Sequence, residues 1–229
     1  MATTIIDGDE LMRGLQDDVM WNLVIGEEQT FPMQGLVLKC LSPVLVASMR
    51  HNPTLEQIEA KGVIRPGAGG LEEWKLVLQW AYERCIEVRR RGTKLLIDCY
   101  ILGDFLDLAD EFMDEVMGRL LLSPCHERER QHPKSQEVDS EVLLDGLRRG
   151  PRLLQKLLAE SLFLMRDELT PQEKNDYDGV GGIAAAILEA AGTYLNYQED
   201  MYDRVGMADP ERWQEFMKGK ETPTVFRET

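Results

Sequence analysis

Histidine is scarce in this chain of 229 residues, limited to His51, His126 and His132. Cysteine is sparse as well: Cys40, Cys85, Cys99 and Cys125 are widely separated and form no C-x-x-C pair. A structural zinc site needs four ligands in tetrahedral geometry. Cys125, His126 and His132 offer three, in a charged stretch, and are read as a chance cluster. Cysteine–histidine catalysis needs a thiolate beside a fixed imidazole, and each histidine falls on an expected loop or helix end. The thiols are read as free, in a reducing compartment. A phosphate loop is missing, since the glycines of 62–70 are not followed by Gly-Lys-Ser/Thr. Gly179-Val180-Gly181-Gly182 lacks the preceding strand that a dinucleotide fingerprint requires, because 173–178 is polar and turn-prone. No catalytic, cofactor-binding or metal-binding residue is assigned, and no cofactor is expected.

Long apolar runs are missing too. None approaches the ~20 residues that cross a bilayer, and the start shows no basic segment followed by an apolar one. Basic residues are the minority, 26 Lys and Arg against 41 Asp and Glu, for a formal net charge of -15. That excess disfavours phosphate backbones and anionic lipid. Arg89-Arg90-Arg91 stands alone without interleaved aromatics and reads as a solvated loop. Neither a nucleic-acid partner nor a membrane is expected, and the location expected is cytoplasmic or nuclear.

What the chain has is helical periodicity. From Lys94 to Leu122 the apolar positions Leu95, Cys99, Leu102, Leu106, Ala109, Met113, Val116 and Leu120 recur in steps of three and four. Leu71, Trp74, Leu78, Ala81 and Tyr82 form a second stripe. Together they predict a helical platform, with Trp74, Leu78, Tyr82, Cys99, Leu102 and Leu106 in the core. Val19–Ile25 and Gln29–Phe31, joined by Gly26-Glu27-Glu28, read as a hairpin. Pro32 opens a helix with Met33, Leu36, Val37 and Cys40 on its apolar face. Ser42-Pro43 reads as a cap and first-turn proline for the next helix. The third strand of a small sheet is expected at Cys85-Ile86-Glu87-Val88, with at most a further short strand near Ile58 or Val63-Ile64.

Residues 123–139 are charged, contain Pro124 and Pro133, and lack periodicity. The organisation expected is an N-terminal arm over 1–16, a domain over 17–122, a linker over 123–139 and a helical C-terminal extension over 140–229. In the extension, Leu153, Leu154, Leu157, Leu158 and Met165 mark one helix and Ile183, Ile187, Ala190, Ala191, Tyr194 and Leu195 a second. Trp213, Phe216 and Met217 mark a short final helix. The fold class is α+β, mostly helical.

Several features in order carry a family resemblance. They are Asp18-Val19, then Phe31-Pro32, a helix carrying Leu38, and Ser42-Pro43-Val44-Leu45. The helix from Trp74 to Tyr82, then Ile86, then the run from Cys99 to Leu108 follow. Over 17–122 the chain resembles the BTB/POZ domain, in the divergent form common in filamentous fungi. Residues 138–167, through Leu143, Leu153 and Leu154, resemble the helical tail that follows it in many such proteins. The resemblance implies a cluster of helices flanked by a small sheet, serving as a protein-interaction module. Two positions depart from the family pattern: Gln34 and Gly35 stand where a His-Arg or His-Lys pair is usual.

The function expected on this ground is non-enzymatic: a scaffold or adaptor in regulation or transcription, acting through protein partners. A second reading within the class is a substrate adaptor of a cullin-type ubiquitin ligase. Cullin binders often carry apolar–any–Glu after the Ser-Pro helix, and here Thr54 and Glu56 occupy the matching stretch with the glutamate one place late. A homodimer is expected as well, because dimers of the family commonly pair through the first helix and strand. Leu11 and Leu15 are the interface candidates. The alternative from another class is a small enzyme with its site between the two halves, which would need convergent ionisable groups there.

Overall fold

The computed structural model describes residues 20–26, 29–50, 62–86, 92–121, 140–164, 171 and 214–219. Strand β1 (Met20–Ile25) turns at Gly26, whose φ of 63 suits a residue without Cβ, into antiparallel β2 (Gln29–Gln34). Leu23 faces Phe31 and Ile25 faces Gln29 in that register. Trp21, Leu23 and Ile25 alternate inward and are buried. The strand extends through Gln34, so Pro32 lies inside β2 and the first helix begins at Gly35 rather than at the proline. Proline is tolerated there because β2 is an edge of the sheet, whose order is β2-β1-β3.

The third strand is a correction. It is β3 (Gly62–Ile64), parallel to β1, with Trp21 beside Gly62 and Leu23 beside Ile64. Cys85 lies in a bend and Ile86 is outside any strand, so the expected strand at 85–88 does not form over its described residues. Ile86 is buried as an apolar plug all the same, at 1% exposure. A parallel partner needs a crossover connection. The helices α1 (Gly35–Leu41) and α2 (Pro43–Arg50) lie within it.

The α1–α2 junction turns on Ser42, buried with extended backbone at φ -158 and ψ 128. Its Oγ accepts the Leu45 N–H at 3.1 Å, capping α2, and donates to the Leu106 carbonyl. The Ala109 N–H donates to the Leu41 carbonyl at 3.1 Å. Two hydrogen bonds therefore clamp this junction onto the 106–109 segment.

That segment breaks the long stripe. Instead of one helix there are two, α4 (Thr93–Phe105) and α5 (Asp110–Leu121), preceded by α3 (Leu71–Glu83). Asp107 adopts a left-handed φ of 50. The Leu108 N–H reaches the Gly103 carbonyl at 2.8 Å and the Asp107 N–H the Asp104 carbonyl at 3.2 Å. These are the 6→1 and 5→2 bonds of a Schellman stop, with aspartate where glycine is usual. The four-residue connection keeps Leu106 and Leu108 buried, which is why the apolar spacing crosses it without a visible slip.

Of the predicted core, Trp74, Cys99, Leu102 and Leu106 are buried, Leu78 is half-buried and Tyr82 is 55% exposed. The buried face of α3 includes Trp74, Val77 and Trp80. Two steps past Trp80 is a rotation of about 200° at 3.6 residues per turn, which turns Tyr82 outward.

Helices α6 (Ser140–Arg149) and α7 (Arg152–Leu164) follow. At Gly146 an added Cβ would meet Ile97 Cγ2 at 2.7 Å, so α6 lies directly on α4. Leu143, Leu147, Leu154, Leu157, Leu158 and Leu162 join the same apolar cluster as Trp74 and Phe112. Of the short final helix expected around Phe216, only the stretch from Gln214 on lies among the described residues; Gln214–Phe216 forms one turn of 3-10 helix, with Phe216 fully buried. The described fold is mostly helical with one small three-stranded sheet. No helix among the described residues is long and apolar enough to cross a membrane.

Candidate partner-binding surface

An open groove of about 250 Å3 lies between α1 and the C-terminal end of α3. Leu41 and Trp80, both buried, are among the residues that line it, with half-buried Leu36 and Val37. Tyr82, Cys40 and Arg84 form its exposed rim. Trp80 is held by an edge-on contact with Phe112, ring centroids 5.4 Å apart at 68°. Arg84 ends α3 in a left-handed conformation of φ 55, with its N–H bonded to the Trp80 carbonyl at 2.8 Å. Its guanidinium sits 4.6 Å from the Trp80 ring centroid, a cation–π contact that leaves its N–H donors available to a ligand. The groove thus combines apolar walls, a phenol and a positive charge. In a chain with net charge -15, that is a local reversal of sign.

A second cleft, about 460 Å3, opens between the N-terminal end of α3 and helices α4 and α6, with Glu73, Lys94, Asp98, Phe105 and Arg149 on its walls. Lys94, Asp98 and Arg149 are already engaged with one another. Arg149 Nη2 donates to Asp98 Oδ1 at 2.7 Å and to Asp145 Oδ2 at 2.5 Å, and Lys94 Nζ donates to Asp98 Oδ2 at 2.5 Å. The Asp98 hydrogen bond, above all, holds the Arg149 guanidinium further into its charged form, with burial working against it. Such a closed network braces α4 against α6.

The third polar cluster lies at the C-terminal half of α4 and the start of α5. Tyr100 is fully buried, and its hydroxyl makes no hydrogen bond among the described residues. Burial pushes its phenol pKa well up, and the charges of Asp114, Asp104 and Asp110 push it further. Asp114 is buried and accepts the backbone N–H of Lys218 through Oδ1 at 2.5 Å and of Gly219 through Oδ2 at 2.7 Å. Burial raises its carboxyl pKa, the two N–H groups lower it, and Asp110 and Glu111 add to the rise. The net direction is up.

Leu11, Leu15, Thr54 and Glu56 lie outside the described residues, as do His51, Arg89 to Arg91, Cys125, His126, His132 and the Gly179–Gly182 turn. Of the departures from the family pattern, Gln34 lines the mouth of the first groove and Gly35 is buried. Cys99 is buried and its thiol donates to the Glu73 carbonyl at 3.9 Å, Cys85 is half-buried and Cys40 is exposed. Among the described residues no three His, Cys, Asp or Glu side chains converge as metal ligands would. The sequence does not predict the groove, although it sets Leu36, Val37 and Cys40 on one helical face. Its outer wall includes Tyr82, which periodicity alone assigns to the core. Compared with family models, with curated proteins and with solved structures, the chain matches none.

Proposed function

We propose that the chain is a non-enzymatic protein-interaction module of the BTB/POZ type, acting in the cytoplasm or nucleus as a scaffold or adaptor. The groove between α1 and α3 is its docking surface. The observation that carries this reading is the conjunction of a small β2-β1-β3 sheet flanking a helical cluster with an apolar groove whose polar rim stays uncommitted. A module that works by display needs such a surface and no converging catalytic groups. The arrangement of β1, β2, α1, α2, β3, α3, α4 and α5 supports the resemblance over the same stretch that carried it in sequence. A partner matching the groove presents apolar side chains beside an acidic one, to fill the channel and meet Arg84. Self-association through Leu11 and Leu15 of the arm belongs to the same proposal.

The test is paired. Affinity purification with the wild-type chain, read by mass spectrometry, is repeated with Tyr82→Asp and Arg84→Glu. A partner that is held by the wild type and lost from both, with unchanged thermal melts, supports the reading. A cullin among the retained proteins selects the ligase-adaptor branch, and a transcriptional regulator selects the scaffold branch. Partners indifferent to both substitutions remove the groove as the docking surface. For self-association, light scattering should show a weak dimer that strengthens with salt, because salt screens the repulsion of like-charged copies within about 10 Å. A dimer indifferent to Leu11→Asp refutes the arm as its contact.

A further inference from the structure

The α1–α3 groove opens where the chain enters the sheet. Strands β1 and β2 run antiparallel, so Met20, the first residue of β1, stands opposite Gln34, the last of β2. Gln34 lines the mouth of the groove, and Met20 beside it is 37% exposed. The chain that precedes Met20 therefore leaves the sheet at the edge of the groove. On one side the groove offers the half-buried Leu36 and Val37 of α1, and on the other Trp80 of α3. The Arg84 guanidinium rests on the Trp80 ring, 4.6 Å from its centroid, and meets no carboxylate among the described residues. In a chain with 41 acidic residues, a cation left on an aromatic face is a place for one of them.

The groove suits apolar side chains followed by a carboxylate, and the arm over 1–16 holds one such run. Ile5-Ile6 is followed directly by Asp7. The other apolar pair, Leu11-Met12, is followed by Arg13, which would set a second cation against Arg84. Asp7 stands thirteen positions before Met20. At the extended limit that is a reach of about 45 Å, ample for a groove of about 250 Å3. We propose that Ile5, Ile6 and Asp7 fill the groove of their own chain, the isoleucines in the apolar channel and the Asp7 carboxylate on the Arg84 guanidinium, so that a partner docks only by displacing them. This regulation rests on the groove being the docking surface. Two physical terms favour the chain's own arm over that of a second copy. Tethering supplies an effective concentration in the millimolar range, and two chains of net charge -15 repel each other. Leu11 and Leu15 take no part in this contact and are left to self-association.

The experiment uses the full chain and a fluorescein-labelled peptide of residues 2–10, read by anisotropy. In the wild type the resident arm competes with the peptide. The double variant Ile5→Asp, Ile6→Asp empties the groove and should bind the peptide about tenfold or more tightly, because the competitor has lost the burial of two isoleucines. Arg84→Glu added to that variant, or Asp7→Lys in the peptide, should weaken binding about fivefold or more. Occupancy by the same chain is read from Ile5→Cys and Ile6→Cys, made singly. Mild oxidation should join at least one of them to Cys40, exposed on the groove rim, within one chain and independently of dilution, as seen by mass spectrometry. The proposal is overturned if the double variant binds no more tightly than the wild type, if Arg84→Glu leaves binding unchanged, or if neither cysteine reaches Cys40. It is overturned equally if the bond joins two chains, which would seat a second copy's arm in the groove. Partners lost with Tyr82→Asp while the double variant gains no affinity would remove the arm and keep the docking surface. A gain that depends on Arg84, with partners indifferent to Tyr82→Asp, would do the reverse.

Discussion

Replacing Ser42 with alanine removes one oxygen and tests how the two halves of the helical cluster are joined. Ser42 is 1% exposed. Its hydroxyl caps α2 at the Leu45 N–H and donates to the Leu106 carbonyl, sixty-four residues away in sequence. Loss of an N-cap side chain costs about 1 kcal/mol. A buried carbonyl left without its donor costs about 1–3 kcal/mol, more than the net value of the bond itself. The two losses share one atom and need not add, so the expected destabilisation is about 2–3 kcal/mol. In a chain of this size that lowers Tm by roughly 4–12 °C. Urea and thermal unfolding followed by circular dichroism would measure it. Ser42→Gly separates the parts, because glycine at an N-cap costs only a few tenths of a kcal/mol, leaving mainly the lost tie to Leu106. If Ser42→Ala costs less than about 0.5 kcal/mol, the range of an ordinary surface change, the junction is not clamped as described.

Three further outcomes follow from the same structure. Leu102→Ala, at a side chain 3% exposed, should cost about 2–5 kcal/mol in urea melts, and a loss in the surface range would refute its place in the core. Gly69→Ala should destabilise by more than about 1 kcal/mol, since φ is +77 and the new Cβ would stand 2.7 Å from Leu102 Cδ2; neutrality in thermal melts would show that this loop is not seated on Leu102. The carboxyl of Asp114 has a folded pKa raised above its ordinary 3.8, so in the window just above that value the folded state holds more protons than the unfolded one. Stability then falls as pH rises through the window, and wild type should gain on Asp114→Asn as pH is lowered from 7 toward 4. Melts of the pair whose gap moves the other way would reverse the assignment.

Local sequence was enough for whatever depends on near neighbours. The β1–β2 hairpin, the Ser42-Pro43 start and the stripes carrying Trp74, Cys99 and Leu102 rest on turn residues, a cap and periodicity. The first groove was half legible, because Leu36, Val37 and Cys40 share a helical face, while its other wall depends on which way α3 turns against the core. Trp80, not Tyr82, points inward because Phe112 of a later helix offers it an edge. β-prone composition favours 85–88 for the third strand and leaves Val63-Ile64 as a lesser candidate, yet β1 pairs with Gly62–Ile64, a choice made by packing between distant segments. The stop at Asp107 could not be read, since no glycine or proline marks it and apolar spacing runs across it. Hydrogen bonds to Leu41 and Ser42 hold it. Residues 214–219 show the same division most plainly. Their sequence gives an amphipathic pattern, but only the arrival of Asp114, Tyr100 and Lys156 from three helices gives Phe216, Lys218 and Gly219 their separate partners.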